Sequence, residues 1–156
     1  MLFVLLVAVV AAKSPLDAGA GWAEDVIGWV GDFNHSKALA WSTHKPILAM
    51  VHQRWSSASL QLARKIRKSV DLQTAAGHFI MLDAGNLREL PDHLTPVVNV
   101  SKYYPRVYFF YPDGKLMEDV TSGREDKFPY FYADEEELIA SMKRALRQTR
   151  ESMCHD

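Results

Sequence analysis

Cysteine is nearly absent from this chain. Cys154 is the single thiol among 156 residues, so no intramolecular disulfide can form and a disulfide-framework fold is excluded. An excess of charge of either sign is missing too. The net charge is −1, whereas nucleic-acid binding draws on a concentrated basic face. The one basic cluster, Arg64, Lys65, Arg67 and Lys68, falls in the last turns of an expected helix. Cations there complement the helix dipole, so the cluster reads as a solvated face rather than a phosphate site. Metal-ligand spacing is also lacking: His35, His44, His52, His78 and His93 show no paired pattern. Neither a metal nor another cofactor is expected.

No apolar run reaches the roughly 20 residues that span a bilayer. Residues 2–12 are continuously apolar and match the core of a secretory signal, with Val10 and Ala12 placed for cleavage before Lys13. The alternative, a buried N-terminal strand, is weaker. Sequons at Asn34-His35-Ser36 and Asn99-Val100-Ser101 agree with a secretory route, and make Asn34 and Asn99 candidate glycosylation sites. An unpaired cysteine on that route points to an intermolecular bridge or a free thiol at Cys154. Cys154-His155-Asp156 has the composition of a catalytic triad. Adjacent residues on a tail do not hold triad geometry.

What the chain does have is enough apolar material, 48% hydrophobic residues, to bury one core. The expected organisation is a signal over 1–12, one domain over 13–150 and a tail over 151–156. A helical stretch around 34–41 is ended by Lys45-Pro46, and residues 46–51 form a short buried strand. A helix capped by Ser56 or Ser57 follows, with Leu62, Ile66 and Val70 on its apolar stripe. Residues 79–82 read as a second buried strand, and 83–104 as a long connection holding a helix that cannot be placed. Residues 106–111 read as a third strand, paired through the Asp113-Gly114 turn with a fourth over 116–120. Asp134, with Glu137 three residues on, caps a last helix whose stripe is Leu138, Ile139, Met142, Ala145 and Leu146. The fold class is α/β: a mixed sheet flanked by helices, its first two strands parallel.

The most informative stretch is Trp55-Ser56-Ser57-Ala58-Ser59, at the junction of strand, turn and helix. Free backbone N–H groups and the helix dipole there stabilise an anion, and would lower a cysteine's pKa from about 8.5 into the reactive range. A serine hydroxyl in that field does not ionise. Its simplest role is to cap the helix, contributing about 1 kcal/mol. A serine hydrolase using Ser56 with His52 is set aside, because the sequence places no acid to orient His52 and no oxyanion donor.

Read in order, Lys45-Pro46-Ile47 to Val51-His52, Trp55 with its serines, residues 79–82, Tyr104-Pro105-Arg106-Val107, Pro112-Asp113-Gly114-Lys115 and Phe131-Tyr132 resemble the thioredoxin superfamily. Within it the chain is most similar to the anterior-gradient proteins and the small thioredoxin-domain proteins of the endoplasmic reticulum. The resemblance implies a thioredoxin-like fold, with Ser56 at the nucleophilic cysteine position and Ser59 at the resolving one. It also implies that Pro105 is the cis-proline beside the active-site turn. Tyr104 would then offer backbone groups to an extended peptide, and Trp55 apolar area. The implied function is a secretory-pathway thioredoxin-like protein that binds unfolded or secretory polypeptides without thiol chemistry. A second copy of the chain is a further candidate partner. The alternative is a protein-disulfide oxidoreductase by descent, working through Cys154 or through cysteines this chain lacks. The ending Met153-Cys154-His155-Asp156 is no Lys-Asp-Glu-Leu-like signal, so the endoplasmic reticulum lumen and secretion are both expected locations.

Overall fold

The computed structural model describes residues 22–85, 90, 103–124 and 127–154. The expected signal, the Asn99 sequon and His93 lie outside them. Among the described residues eight elements run in the order β1 (Trp29–Val30), α1 (Phe33–Thr43), β2 (Ile47–Val51), α2 (Ser57–Lys68), α3 (Val70–Ala76), β3 (Ile80–Gly85), β4 (Arg106–Phe110) and α4 (Glu135–Met153). The sheet order is β1-β3-β2-β4. β3 runs parallel to both β1 and β2, and β4 antiparallel to β2. The expected mixed α/β architecture is present.

All five residues of β2 are buried, which is why residues 46–51 read as a continuous apolar run rather than an alternating one. Leu48 and Met50 face a core shared with Leu62, Ile66, Leu72, Leu138 and Met142, so α2, α3 and α4 cover one side of the sheet. Ile47, Ala49 and Val51 face the opposite core with Phe33, Ala40, Tyr108 and Phe110, where α1 lies. Strand alternation therefore feeds two cores from one short segment.

Caps set the helix boundaries. Asp32 accepts from the His35 amide at 2.6 Å and starts α1. Asp134 accepts from the Glu137 amide at 2.9 Å and starts α4, as expected. α4 runs on through residues 151–153, into the stretch expected to be a tail.

Three expectations need correction. The helix after Ser56 does not run through to Val70: Ser69 turns extended (φ −92°, ψ 109°) and caps a separate helix, α3. Residues 83–85 belong to β3, not to the long connection that follows. The strand expected over 116–120 is reduced to a single bridge, Phe110 to Leu116. Its physical reason is competition for the outer edge of β4, where the Val107 amide donates to the Tyr130 carbonyl at 2.9 Å. The two-residue strand β1 was not anticipated.

Candidate functional site

The carboxyl end of β2 delivers the chain to the N-terminus of α2. Ser56 is the N-cap, its Oγ accepting from the Ser59 amide at 3.2 Å. The same hydroxyl donates to the Tyr104 carbonyl at 3.3 Å, across 48 positions of sequence. Ser59, fully buried, accepts from the Gln53 amide at 3.4 Å and so ties the turn back on itself. Trp55 is 75% exposed, and its ring meets that of Tyr104 edge-on, centroids 5.6 Å apart at 84°. The Tyr104–Pro105 peptide is cis. Trp55, Ser56, Tyr104 and Pro105, which the resemblance groups at one site, come together here.

Behind that face lies a polar layer. The register of β2 against β3 shifts between Met50 and Val51, so that β3 carries one extra residue, and Gly85 sits at φ 36°. Bulges of this kind re-aim side chains beside functional sites. Here Asp83 Oδ1 accepts from the Gly85 amide at 2.9 Å and faces His52 Nε2 at 2.8 Å. A carboxylate only accepts, so the proton on that contact belongs to the imidazole. His52 is 6% exposed, its ring lies 4.1 Å from that of Trp22, and its Nδ1 has no hydrogen-bond partner among the described residues. The acid that the sequence did not place for His52 is therefore Asp83. Neither serine hydroxyl bonds His52 among the described residues: that of Ser56 donates to the Tyr104 carbonyl, and that of Ser59 accepts from the Gln53 amide.

No protein-family model matches the chain. Anterior gradient protein 3 of Mus musculus is 28% identical over 139 residues, covering 86% of this chain and 80% of the relative. Anterior gradient protein 3 of Homo sapiens is 29% identical over 139 residues with the same coverage. Among solved structures, DsbH oxidoreductase superposes with a TM-score of 0.53 at 17% identity, covering 78% of this chain and 85% of that one. The chain has a thioredoxin-like fold.

In this thioredoxin-like frame, Arg106 is the site residue that sequence reasoning quoted but gave no role. It is buried, its guanidinium 5.6 Å from the Tyr103 ring centroid and 5.2 Å from that of Tyr104. It thus underlies the two tyrosines from below. Its position directly after Pro105, opening an otherwise apolar strand, was the available signal. Burial pushes the neighbouring Tyr108 phenol well up from its ordinary range.

Other singled-out residues lie elsewhere. Cys154 is exposed at the C-cap of α4. The adjacent Met153 lines a groove with Trp41, His44 and Tyr111, near the opposite end of β2. β2 pairs with Phe110 at Ile47 and with Arg106 at Val51, so about 13 Å of strand separates the two ends. Of the basic cluster, Lys65 donates to the Ala133 carbonyl at 2.7 Å and Arg67 pairs with Asp25 at 3.1 Å. These are structural ties on an open face. Asn34 is exposed in the first turn of α1, whereas Ser36 of its sequon is buried with its hydroxyl on the Asp32 carbonyl. Among the described residues no three His, Cys, Asp or Glu side chains gather as a metal site, and no helix is long and apolar enough to cross a membrane.

Proposed function

We propose that this chain is a redox-inactive thioredoxin-like protein of the secretory pathway that binds extended polypeptide beside Trp55, Tyr104 and Pro105. Ser56 and Ser59 stand in this reading where catalytic relatives carry cysteines. The carrying observation is the pairing of an exposed Trp55 ring with Tyr104 at the N-terminus of α2, where the side chain at the helix cap is a hydroxyl. Thiol–disulfide exchange needs a thiolate to attack sulfur, and a hydroxyl neither ionises at neutral pH nor forms a mixed disulfide. Binding needs only apolar area and backbone groups, so it survives the loss of sulfur. The apolar segment over 2–12 and the sequon at exposed Asn34 support the secretory assignment.

A client segment loses conformational entropy on docking, so the affinity is modest. The test is a titration of reduced, carboxymethylated lactalbumin, a permanently unfolded polypeptide, against the parent and Trp55→Ala. Weaker binding by a variant that still unfolds cooperatively supports the reading. Equal binding, or none by either protein, overturns it. The competing oxidoreductase reading draws on Cys154, and it predicts disulfide reduction by the parent that Cys154→Ser abolishes.

A further inference from the structure

We infer that Ser56 is a positioning residue for the client-binding face, acting as a clamp that holds the Tyr104 carbonyl through its hydroxyl proton. The inference rests on the binding reading above and goes beyond it, because a capping serine has no need of the second bond.

The Ser56 oxygen does two separable things. As acceptor it takes the Ser59 amide at 3.2 Å, the ordinary work of an N-cap. As donor it gives its proton to the Tyr104 carbonyl at 3.3 Å. The acceptor role is local, spanning three residues. The donor role joins the start of α2 to the segment that leads into β4, 48 positions away. The same junction is braced from the outside by the Trp55–Tyr104 ring contact and from beneath by the Arg106 guanidinium under the Tyr104 ring. Three contacts thus hold one residue, and among the described residues only the hydroxyl contact reaches its backbone. A client strand that pairs with the backbone of residue 104 benefits when that backbone is already oriented, because less ordering remains to be done on binding.

Substitutions separate the two roles. Ser56→Ala removes both. Ser56→Asp keeps a strong cap, since aspartate ranks with serine at that position, but its carboxylate has no proton to donate at neutral pH. Ser56→Thr keeps both. If capping were the whole role, affinity would follow stability, and Ser56→Asp would bind like the parent. If the clamp positions Tyr104, affinity follows the hydroxyl. Ser56→Ala and Ser56→Asp then bind the carboxymethylated polypeptide about two- to tenfold more weakly, the range of one net hydrogen bond, and Ser56→Thr binds like the parent.

The carbonyl-carbon NMR shift of Tyr104 supplies a readout that needs no client. It should move in Ser56→Ala and Ser56→Asp and hold in Ser56→Thr. A Tyr104 shift unmoved by Ser56→Asp overturns the clamp. A moved shift with parent-like affinity in Ser56→Asp overturns its role in positioning. Failure of the parent to bind at all overturns the binding reading instead, and the clamp is then judged on the carbonyl shift alone.

Discussion

Past the carboxyl end of β2 stands the N-cap of α2; ahead of its amino end stands the C-cap of α1, His44 in a left-handed conformation at φ 56°. The two ends carry similar surface material, each with an exposed tryptophan: Trp55 at 75% and Trp41 at 65%. They differ in what lies behind it. Behind Trp55 are the Ser56 hydroxyl, the Tyr104 carbonyl, the His52–Asp83 contact and buried Arg106, polar groups fixed by named partners. Behind Trp41 is a groove of about 630 Å³ rimmed by His44, Asp113, Lys115 and Met153. Helix poles differ as well: Ser56 sits at the start of α2, where an anion is favoured, and Cys154 at the finish of α4, where a cation is. The only thiol is thus at the end least suited to using one. Exposed aromatic area marks a surface, and the pinned polar layer beneath it marks which surface is built for geometry.

The largest effect expected from this contrast is on stability. Asp83→Ala strips the carboxylate from His52 and from the Gly85 amide, both at the bulge that shapes the serine end. Removing one partner of such a part-buried network should destabilise the protein by about 2–3 kcal/mol in urea unfolding. Asp113→Ala at the groove end removes an exposed turn contact to the Lys115 amide and should stay within about 1 kcal/mol. Comparable losses would erase the distinction between a fixed end and a loose one.

Alkaline pH tests whether both ends rest on one core. Burial pushes the Tyr132 phenol up to about 12 and Tyr108 higher still. The unfolded chain therefore loses these protons from about pH 10, while the folded chain keeps them. Fewer protons bound in the unfolded state means that stability falls as pH rises. For Tyr132 the loss is about 1.4 kcal/mol per pH unit between about 10 and 12, and it is absent below that window. Tyr132→Phe should remove that share. Fluorescence of Trp41→Phe and Trp55→Phe variants should report coincident alkaline transitions; separate transitions would show that the ends unfold independently.

How much of this was legible follows from how local each signal is. β2 was readable because burial on both faces leaves an unbroken apolar run, and α4 because Asp134 and Glu137 announce its start within four residues. The serine turn was readable for the same reason. The hairpin strand expected over 116–120 stops at one bridge: Asp113-Gly114 is a strong local turn signal, but at Val107 the edge of β4 is taken by Tyr130, which no short-range pattern reveals. Ser69 looked like one more polar residue on a continuing helix until its extended backbone made it a cap. Asp83 was hidden more deeply. Its contact with His52 spans 31 positions and depends on the bulge at Ala84, a feature with no sequence signature. Trp55, Ser56, Tyr104 and Pro105 were found together only because a family resemblance supplied the long-range pairing that periodicity cannot.

Moving sulfur from one end to the other should expose the helix poles directly. Ser56→Cys with Ser59→Cys places a thiol at the start of α2, where the thiolate is favoured, with a second thiol to resolve a mixed disulfide. Insulin-disulfide reduction should rise at least about tenfold over the parent, which has no thiol at this helix start to form a mixed disulfide. Cys154→Ser in the parent should change nothing. Activity that instead depends on Cys154 would reverse the assignment of the two ends.

The smallest effect separates the two tryptophans as binding surfaces. Trp55→Ala removes apolar area next to the Tyr104 backbone and should weaken binding of carboxymethylated lactalbumin by a few-fold, on the order of 1 kcal/mol. Trp41→Ala removes a ring of similar exposure from a groove whose rim offers charged side chains of both signs rather than a clamped backbone. An extended segment gains little there without a strand to pair with, so its affinity should stay at the parent value. Both rings are exposed, so neither variant should change the free energy of urea unfolding by more than about 0.5 kcal/mol, and a binding difference can be assigned to the surface itself. Equal weakening by both would mean that the client touches any exposed aromatic ring. Weakening by Trp41→Ala alone would move the binding face to the groove, and the serine end would keep its geometry without a client to use it.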